Sequence, residues 1–157
     1  MKILITLVAL VIAVLGGLAA LGYVPGRQSY WDAQVREMCE KDGGVQIFEQ
    51  IAISSEQATA LQKVGSHFSI PPRATAKPDA PAYWDELVTI FQDANPRVWR
   101  SEQVIRRRGD EKVVARVVRY IRVGGDIPSP AHSSSFSCPD EAGVLAKREN
   151  IFSIKGK

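Results

Sequence analysis

Histidine and cysteine are scarce in this 157-residue chain, which contains two of each. The histidines, His67 and His132, are far apart in the sequence, and no two candidate ligands show the short spacing of a zinc site. Glycine pairs occur at residues 16–17, 43–44 and 124–125, but none has the surrounding pattern of a nucleotide-binding loop. The sequence therefore predicts neither a metal site nor a cofactor.

One long stretch lacks charge, the apolar run at residues 3–21 that follows Met1 and Lys2. Its 19 positions are close to the roughly 20 that cross a bilayer as a helix, which favours a retained anchor. Small residues at Ala20 and Gly22 fit the pattern that a signal peptidase recognises, so cleavage is the alternative. Because Lys2 is the only charged side chain before the run, we expect the N-terminus inside and the remaining chain exported. The protein would then be anchored in the inner membrane through residues 3–21, or released on the periplasmic side.

The chain divides into a leader and a domain. Residues 1–26 are a predicted signal peptide or membrane anchor, and residues 27–157 a single exported domain of ordinary size. Export also decides how Cys39 and Cys138 are interpreted, since cysteines in oxidising compartments tend to pair. We expect one disulfide between them. It would close a loop of about 100 residues, for which the chain-entropy model gives a stabilisation of at most about 4.7 kcal/mol.

Hydrophobic spacing predicts a helix and then a strand at the start of the domain. Residues 29–42 have apolar positions one helical turn apart, with Ser29 as the N-terminal cap and two glycines at the end. Alternating apolar residues at 45–53 predict a strand with a bulge near Phe48. The capping-box pattern that begins at Ser54 predicts a second, short helix. The apolar stripe of the first helix consists of Trp31, Val35, Met38 and Cys39.

Farther along the chain the main signal is a hairpin. Gly109 and Asp110 lie between two β-rich runs and predict paired strands at 98–107 and 112–123. The other predicted segments are a proline-rich connection at 70–81, a strand at 86–91, an irregular loop at 124–140 and a strand at 151–154. The expected fold class is α+β, an antiparallel sheet of about four or five strands with one or two N-terminal helices on one face, preceded by a hydrophobic leader helix.

Three motifs together resemble a family of small exported bacterial proteins with no established activity. They are CEKDGG from Cys39, NPRVWR from Asn95, and GGD-x-P-x-P-x-H-x-SSFSCP from Gly124. The last motif departs from the family pattern at Ser129, Ala131 and Ser133, where relatives tend to have Gly, Trp and Pro. The resemblance implies export and brings no substrate, cofactor or catalytic residue.

Charge is distributed unevenly along the domain. Residues 27–95 carry six Lys/Arg and ten Asp/Glu, whereas residues 96–122 carry nine and three. The basic part coincides with the predicted hairpin, which makes an anionic lipid headgroup or an acidic protein a candidate partner. Nucleic acid is not expected, because the chain is exported and aromatic side chains do not alternate with the basic ones. The alternative is that the arginines cover the sheet and pair with the acidic half. The candidate anion-binding residues are Arg106, Arg107, Arg108, Lys112, Arg116, Arg119 and Arg122.

The strongest catalytic arrangement in the sequence is Cys138 with His132 and either Asp126 or Asp140, all in one loop. An imidazole held by a carboxylate can activate a cysteine nucleophile. A disulfide would consume that thiol, so we expect no enzyme and no catalytic residue. The sequence favours a small exported structural or interaction module, with anion binding as the alternative and a cysteine-dependent hydrolase as a third hypothesis.

Overall fold

The computed structural model describes residues 2–20, 26–62, 69–126 and 133–154 of the protein. Its first element, α1 (Lys2–Ala20), exposes apolar side chains on all its sides, from Ile3 to Leu15. The uncharged run at residues 3–21 is therefore helical as far as Ala20. Within the described ranges, no helix combines the length and the apolarity needed to cross a membrane.

The described residues contain seven strands, and five of them form the main sheet. They are β1 (Gly44–Ile47), β2 (Ile51–Ile53), β3 (Ala82–Gln92), β4 (Arg97–Arg107), β5 (Val113–Val123), β6 (Ser135–Cys138) and β7 (Phe152–Ile154). The main sheet has the order β1-β5-β4-β3, with β6 also paired to β5, and every pairing in it is antiparallel. The α+β class and the antiparallel sheet of five strands are confirmed.

The hairpin of β4 and β5 lies at the centre of this sheet and is confirmed. Two neighbouring predictions need correction: the strand predicted at 86–91 is confirmed but is longer, and the predicted loop after β5 contains a strand. The strand predicted at 86–91 begins at Ala82, because Ala82 and Tyr83 are buried and continue the pairing with β4. The loop predicted at 124–140 contains β6, which pairs with the end of β5 that β1 does not reach.

The single strand predicted at 45–53 is two strands in different sheets. The backbone N–H groups of Phe48 and Glu49 both donate to the carbonyl oxygen of Val114, at 2.9 and 3.2 Å, and pairing with β5 ends there. The chain then leaves the main sheet, and β2 pairs in parallel with β7 in a separate two-stranded sheet. The irregularity near Phe48 is thus the point where the chain changes sheets. The final strand at 151–154 is confirmed in position, as β7, but outside the main sheet.

Three helices accompany the strands: α2 (Arg27–Asp42), α3 (Ser55–Gln62) and α4 (Glu141–Arg148). The capping box is confirmed, since Ser54 N donates to Gln57 Oε1 at 3.0 Å and Gln57 N donates to Ser54 Oγ at 3.2 Å. The prediction of Ser29 as the cap of α2 was wrong. The helix begins two residues earlier, after Gly26, whose φ of 78° lies in the left-handed region that glycine adopts freely.

Helices cover the two faces of the main sheet differently. On one side, the α2 face, Val35 and Cys39 pack against Val98, Val118 and Tyr120, with Trp31 and Met38 partly buried, so the predicted stripe is confirmed. On the opposite side, the α4 face, the core contains Ile105 and Val117 from the sheet, Val144 from α4, and apolar residues from β2, β7 and α3. The sheet is therefore the middle layer between two apolar cores.

Candidate functional site

The two cysteines form a disulfide, as expected. Cys39 on the last turns of α2 and Cys138 at the end of β6 have Cα atoms 5.9 Å apart and are separated by 99 residues in sequence. Cys39 reaches this position because it lies one turn after buried Val35, and Cys138 because β6 pairs it with Tyr120. A sulfur in a disulfide has no thiolate, so Cys138 in this state is not a nucleophile.

The carboxylates predicted to accompany Cys138 have local structural partners. Asp126 accepts hydrogen bonds from the backbone N–H and the hydroxyl of Ser134, and these bonds hold the pKa of Asp126 below its usual value. Asp140 is the N-terminal cap of α4 and accepts from Gly143 N at 3.2 Å. His132 lies outside the described residues. The described residues of this group therefore form caps and a loop brace.

The tip of the basic hairpin is neutralised within the chain. Arg107 forms ion pairs with Asp110 and Glu49, both at 2.6 Å, and Lys112 contacts Glu49 at 2.5 Å. The hydrogen bonds from Arg107 lower the pKa of Asp110 to about 2. Since each of these side chains has an internal partner of opposite charge, the tip presents less positive charge than the sequence alone indicates.

Three more of the predicted anion-binding residues also have internal partners. Arg106 pairs with Asp85 at 3.4 Å, and Arg116 pairs with Glu102 at 2.8 Å. Arg108 lies over the ring of Tyr83, 4.9 Å from its centroid, and its Nη2 donates to the carbonyl oxygens of residues 76 and 77.

Arg122 differs from the others because it is buried, with 2% of its surface exposed. Its Nε donates to Asp32 Oδ1 at 2.9 Å, and its Nη1 donates to the carbonyl oxygen of Gly124 at 2.7 Å and to Ser134 Oγ at 2.7 Å. The guanidinium thus fastens α2 to the end of β5 and the start of β6. Arg122 has no surface on which to meet an external anion.

Arg119 is the one predicted residue on the α4 face that has no acidic partner among the described residues. Beside it lies Arg148, at the end of α4, which sequence reasoning missed. The sequence does contain a helix signal there, a capping Asp140 followed by Glu141 and Val144. That signal can predict a short helix, but not which side of it faces the sheet.

A second candidate surface is the outer edge of β3. Trp84 N donates to Pro71 O at 3.1 Å, so the backbone groups of Trp84 point away from β4. Because strand backbones alternate with a period of two, the backbone N–H and C=O groups of Glu86, Val88 and Ile90 also point away from β4. Among the described residues, no strand pairs with this part of the edge.

The side chains of this part of β3 are apolar on both faces of the sheet. Leu87 is 60% exposed, Val88 49%, and Ile90 and Phe91 each 45%. Residues 87–92 carry no charge and no proline, which are the usual means of protecting an edge strand. We call residues 87–92 the open segment of β3.

No family model, curated protein or solved structure matches this chain. Within the described ranges, no group of three or more His, Cys, Asp or Glu side chains is placed to hold a metal ion. The features of the described residues that bear on function are Arg119 with Arg148, the open segment of β3 and the disulfide.

Proposed function

We propose that this protein is an exported, non-catalytic module that associates with a second copy of itself through the open segment of β3. The observation that carries the proposal is the exposed, uncharged edge of that strand. An edge of this kind is a ready template for another strand.

Two features support export. The apolar side chains of α1 from Ile3 to Leu15 are exposed, and the run of residues 3–21 carries no charge, as in export signals. The bond between Cys39 and Cys138 is of the kind that persists in oxidising compartments and is rare in the cytosol. The family resemblance points to the same compartment and remains a prediction.

The open segment fits a second copy of itself. Its exposed apolar side chains, Leu87, Val88, Ile90 and Phe91, lie on both faces of the sheet. A strand that pairs with it should therefore also be apolar at odd and even positions, and the open segment has that composition. A two-fold axis at Val88 would place Val88 opposite its own copy, Leu87 opposite Thr89, and Glu86 opposite Ile90. No like charges face each other in this antiparallel arrangement, which extends the main sheet across two protomers.

Cysteine cross-linking in the full-length, exported chain tests this pairing. In the variant Val88→Cys, the two introduced residues would form a hydrogen-bonded pair with Cα atoms about 5.5 Å apart, a separation that a disulfide spans. We therefore expect a covalent dimer on a non-reducing gel that disappears on reduction. Phe48→Cys is the matched control, because Phe48 is also an apolar residue, 58% exposed, but lies outside the open segment of β3.

The same scan can contradict the proposal. Registers shifted by two residues move the axis to Leu87 or Thr89, so the variants Leu87→Cys and Thr89→Cys are tested as well. If none of the three variants forms more dimer than Phe48→Cys, the open segment does not pair with a second copy.

Anion binding is a second candidate function. It is favoured by one observation, that Arg119, like Arg108, has no acidic partner among the described residues, while the other five members of the predicted basic cluster have one. Binding of this kind should weaken as ionic strength rises, because exposed charges are screened by salt.

A further inference from the structure

Two arginines on the α4 face of the main sheet are close enough to repel each other electrostatically. Arg119 is in the middle of β5, in register with Ser101 of β4. Arg148 is the last residue of α4, one turn after Val144, whose side chain is buried in the core. Because residues four apart share a helix face, Arg148 is directed toward the sheet.

Hydrogen bonds fix both side chains in this position. The Nη2 atom of Arg148 donates to Gln103 Oε1, and the Nη2 atom of Arg119 donates to Ser137 Oγ at 3.3 Å. Gln103 pairs with Val117, two residues before Arg119, so the two arginines occupy neighbouring positions on one face. Like the Nε atom of Arg108, the Nε atoms of both are shielded from solvent and have no hydrogen-bond partner within the described residues.

The pair carries two positive charges without a close counter-ion. Among the described residues, no carboxylate oxygen lies within 4.0 Å of either guanidinium, whereas Arg100, Arg107 and Arg122 each have two acidic partners. The other nearby carboxylates do not fill this role. Glu86 accepts from the hydroxyl of Ser101 at 2.6 Å, and Glu141 acts on Arg148 only from a longer distance.

This arrangement costs free energy unless something compensates the charge. Burial and the positive charge of Arg119 together lower the pKa of the Arg148 guanidinium, while Glu141 opposes them weakly. Buried polar atoms without partners are rare in native proteins, and of the three such side-chain nitrogens among the described residues two belong to this pair and the third to Arg108. A bound anion would satisfy the charge and supply acceptors for the remaining N–H groups.

We propose that Arg119 and Arg148 together bind a phosphate group. Two uncompensated charges favour a group with about −1.5 to −2 charge at neutral pH, as a phosphate monoester has, over a singly charged carboxylate. Guanidinium groups also match phosphate oxygens with paired hydrogen bonds. The hydroxyl of Ser137, already bonded to Arg119, lies beside the site. This inference rests on the second candidate function, for which it names the residues and the ligand class, and it is independent of pairing through β3.

The first experiment uses the unaltered, full-length protein in a neutral detergent. Inorganic phosphate is titrated at constant ionic strength, with sodium chloride replacing it in the reference, and heat of binding and melting temperature are recorded. We expect saturable binding that raises the melting temperature. A response no greater than that of chloride would overturn the proposal, and this result does not depend on any variant folding.

The second experiment tests whether phosphate binds at Arg119 and Arg148. Arg119→Gln and Arg148→Gln should each weaken phosphate binding about tenfold or more, since a charge-assisted hydrogen bond contributes about 1.5–3 kcal/mol. Lys147→Gln is the matched control, because it removes the same charge from the adjacent, exposed residue of α4. If either arginine variant fails to fold, Arg148→Lys is used instead. This variant retains the charge but loses the paired hydrogen bonds to phosphate.

The source of the phosphate is distinguished with vesicles of phosphatidylcholine, with and without phosphatidic acid. Binding to phosphatidic acid that depends on Arg148 assigns a lipid headgroup, whereas binding of inorganic phosphate alone assigns a soluble ligand. Anion binding that decreases with salt but is equal in the Arg148→Gln and Lys147→Gln variants would leave the second candidate function intact and refute this site.

Discussion

At the scale of single residues, Arg122 shows that burial can give a basic side chain a structural role instead of a binding role. The sequence places it in a basic cluster, but the structure buries it with Asp32 and the backbone of Gly124. We expect Arg122→Met to lower the free energy of unfolding by about 3–5 kcal/mol, because it leaves the carboxylate of Asp32 without its buried cation. Urea denaturation of the full-length protein measures this.

Arg97 provides the control for that measurement. Its ion pair with Asp93, at 3.0 Å, is exposed to solvent on both sides, and exposed pairs contribute at most about 1 kcal/mol. If Arg97→Met destabilises the protein as much as Arg122→Met, burial is not what makes Arg122 important.

Asp42 connects a single residue to the pH dependence of stability. Burial raises the pKa of Asp42, but hydrogen bonds from Tyr120 and Arg100 outweigh that effect and lower it. A carboxyl whose pKa is lower in the folded state stabilises the fold above its unfolded pKa, about 3.9, and the stabilisation disappears as pH falls through the folded value. The stability difference between the wild type and Asp42→Asn should therefore be largest near neutral pH and shrink in acid.

Chemical denaturation across that pH range measures the difference. Asp79→Asn serves as the control, since Asp79 is exposed and has no ion pair within the described residues. A difference for Asp42→Asn that stays constant down to strongly acidic pH would contradict the assigned role of the carboxylate.

At the scale of elements, short sequence patterns correctly predicted the elements that depend on interactions between neighbouring residues. The hairpin of β4 and β5 follows from the turn at Gly109 and Asp110, the stripe of α2 from helical spacing, and the start of α3 from the capping box at Ser54. Each of these patterns is complete within a few neighbouring residues. Such signals survive in the fold because tertiary contacts reinforce them.

Strand pairings and elements that depend on distant partners were missed. The parallel pairing of β2 with β7 joins segments about 100 residues apart, and no turn motif or spacing of apolar residues predicts it. Helix α4 has two turns and only one buried residue, Val144, so its apolar pattern is weak. For the same reason Arg119 was a candidate from sequence and Arg148 was not, because the position of α4 on the sheet decides what its last residue meets.

At the scale of the whole molecule, the acidic and basic halves of the sequence pair with each other. Asp32, Asp42, Glu49 and Asp85 from the acidic half contact Arg122, Arg100, Arg107 and Arg106 from the basic half. The uneven charge along the sequence is thus largely cancelled within the fold. This leaves Arg119 and Arg148 as a local exception on the α4 face.

The disulfide acts at the same scale, because it encloses most of the domain in one loop. Replacing both Cys39 and Cys138 by serine should lower the free energy of unfolding by about 2–5 kcal/mol. The reason is that the disulfide lowers the conformational entropy of the unfolded chain, and the double variant lacks this restriction. Guanidinium denaturation with and without reductant measures this. The double variant should not respond to reductant, whereas the wild type should. Equal stability of oxidised and reduced wild type, with mass spectrometry confirming reduction, would contradict this role of the bond.

Residues 39 to 138 and the bond between their ends make a closed covalent ring. A protease that cuts one peptide bond in that ring, for example in the proline-rich connection between α3 and β3, opens the chain but releases no fragment. Both pieces remain joined through sulfur, and the two cores on either side of the sheet hold them in place. The survival of the nicked domain then depends on the redox state of its surroundings, so that a single cut is tolerated wherever the bond stays oxidised.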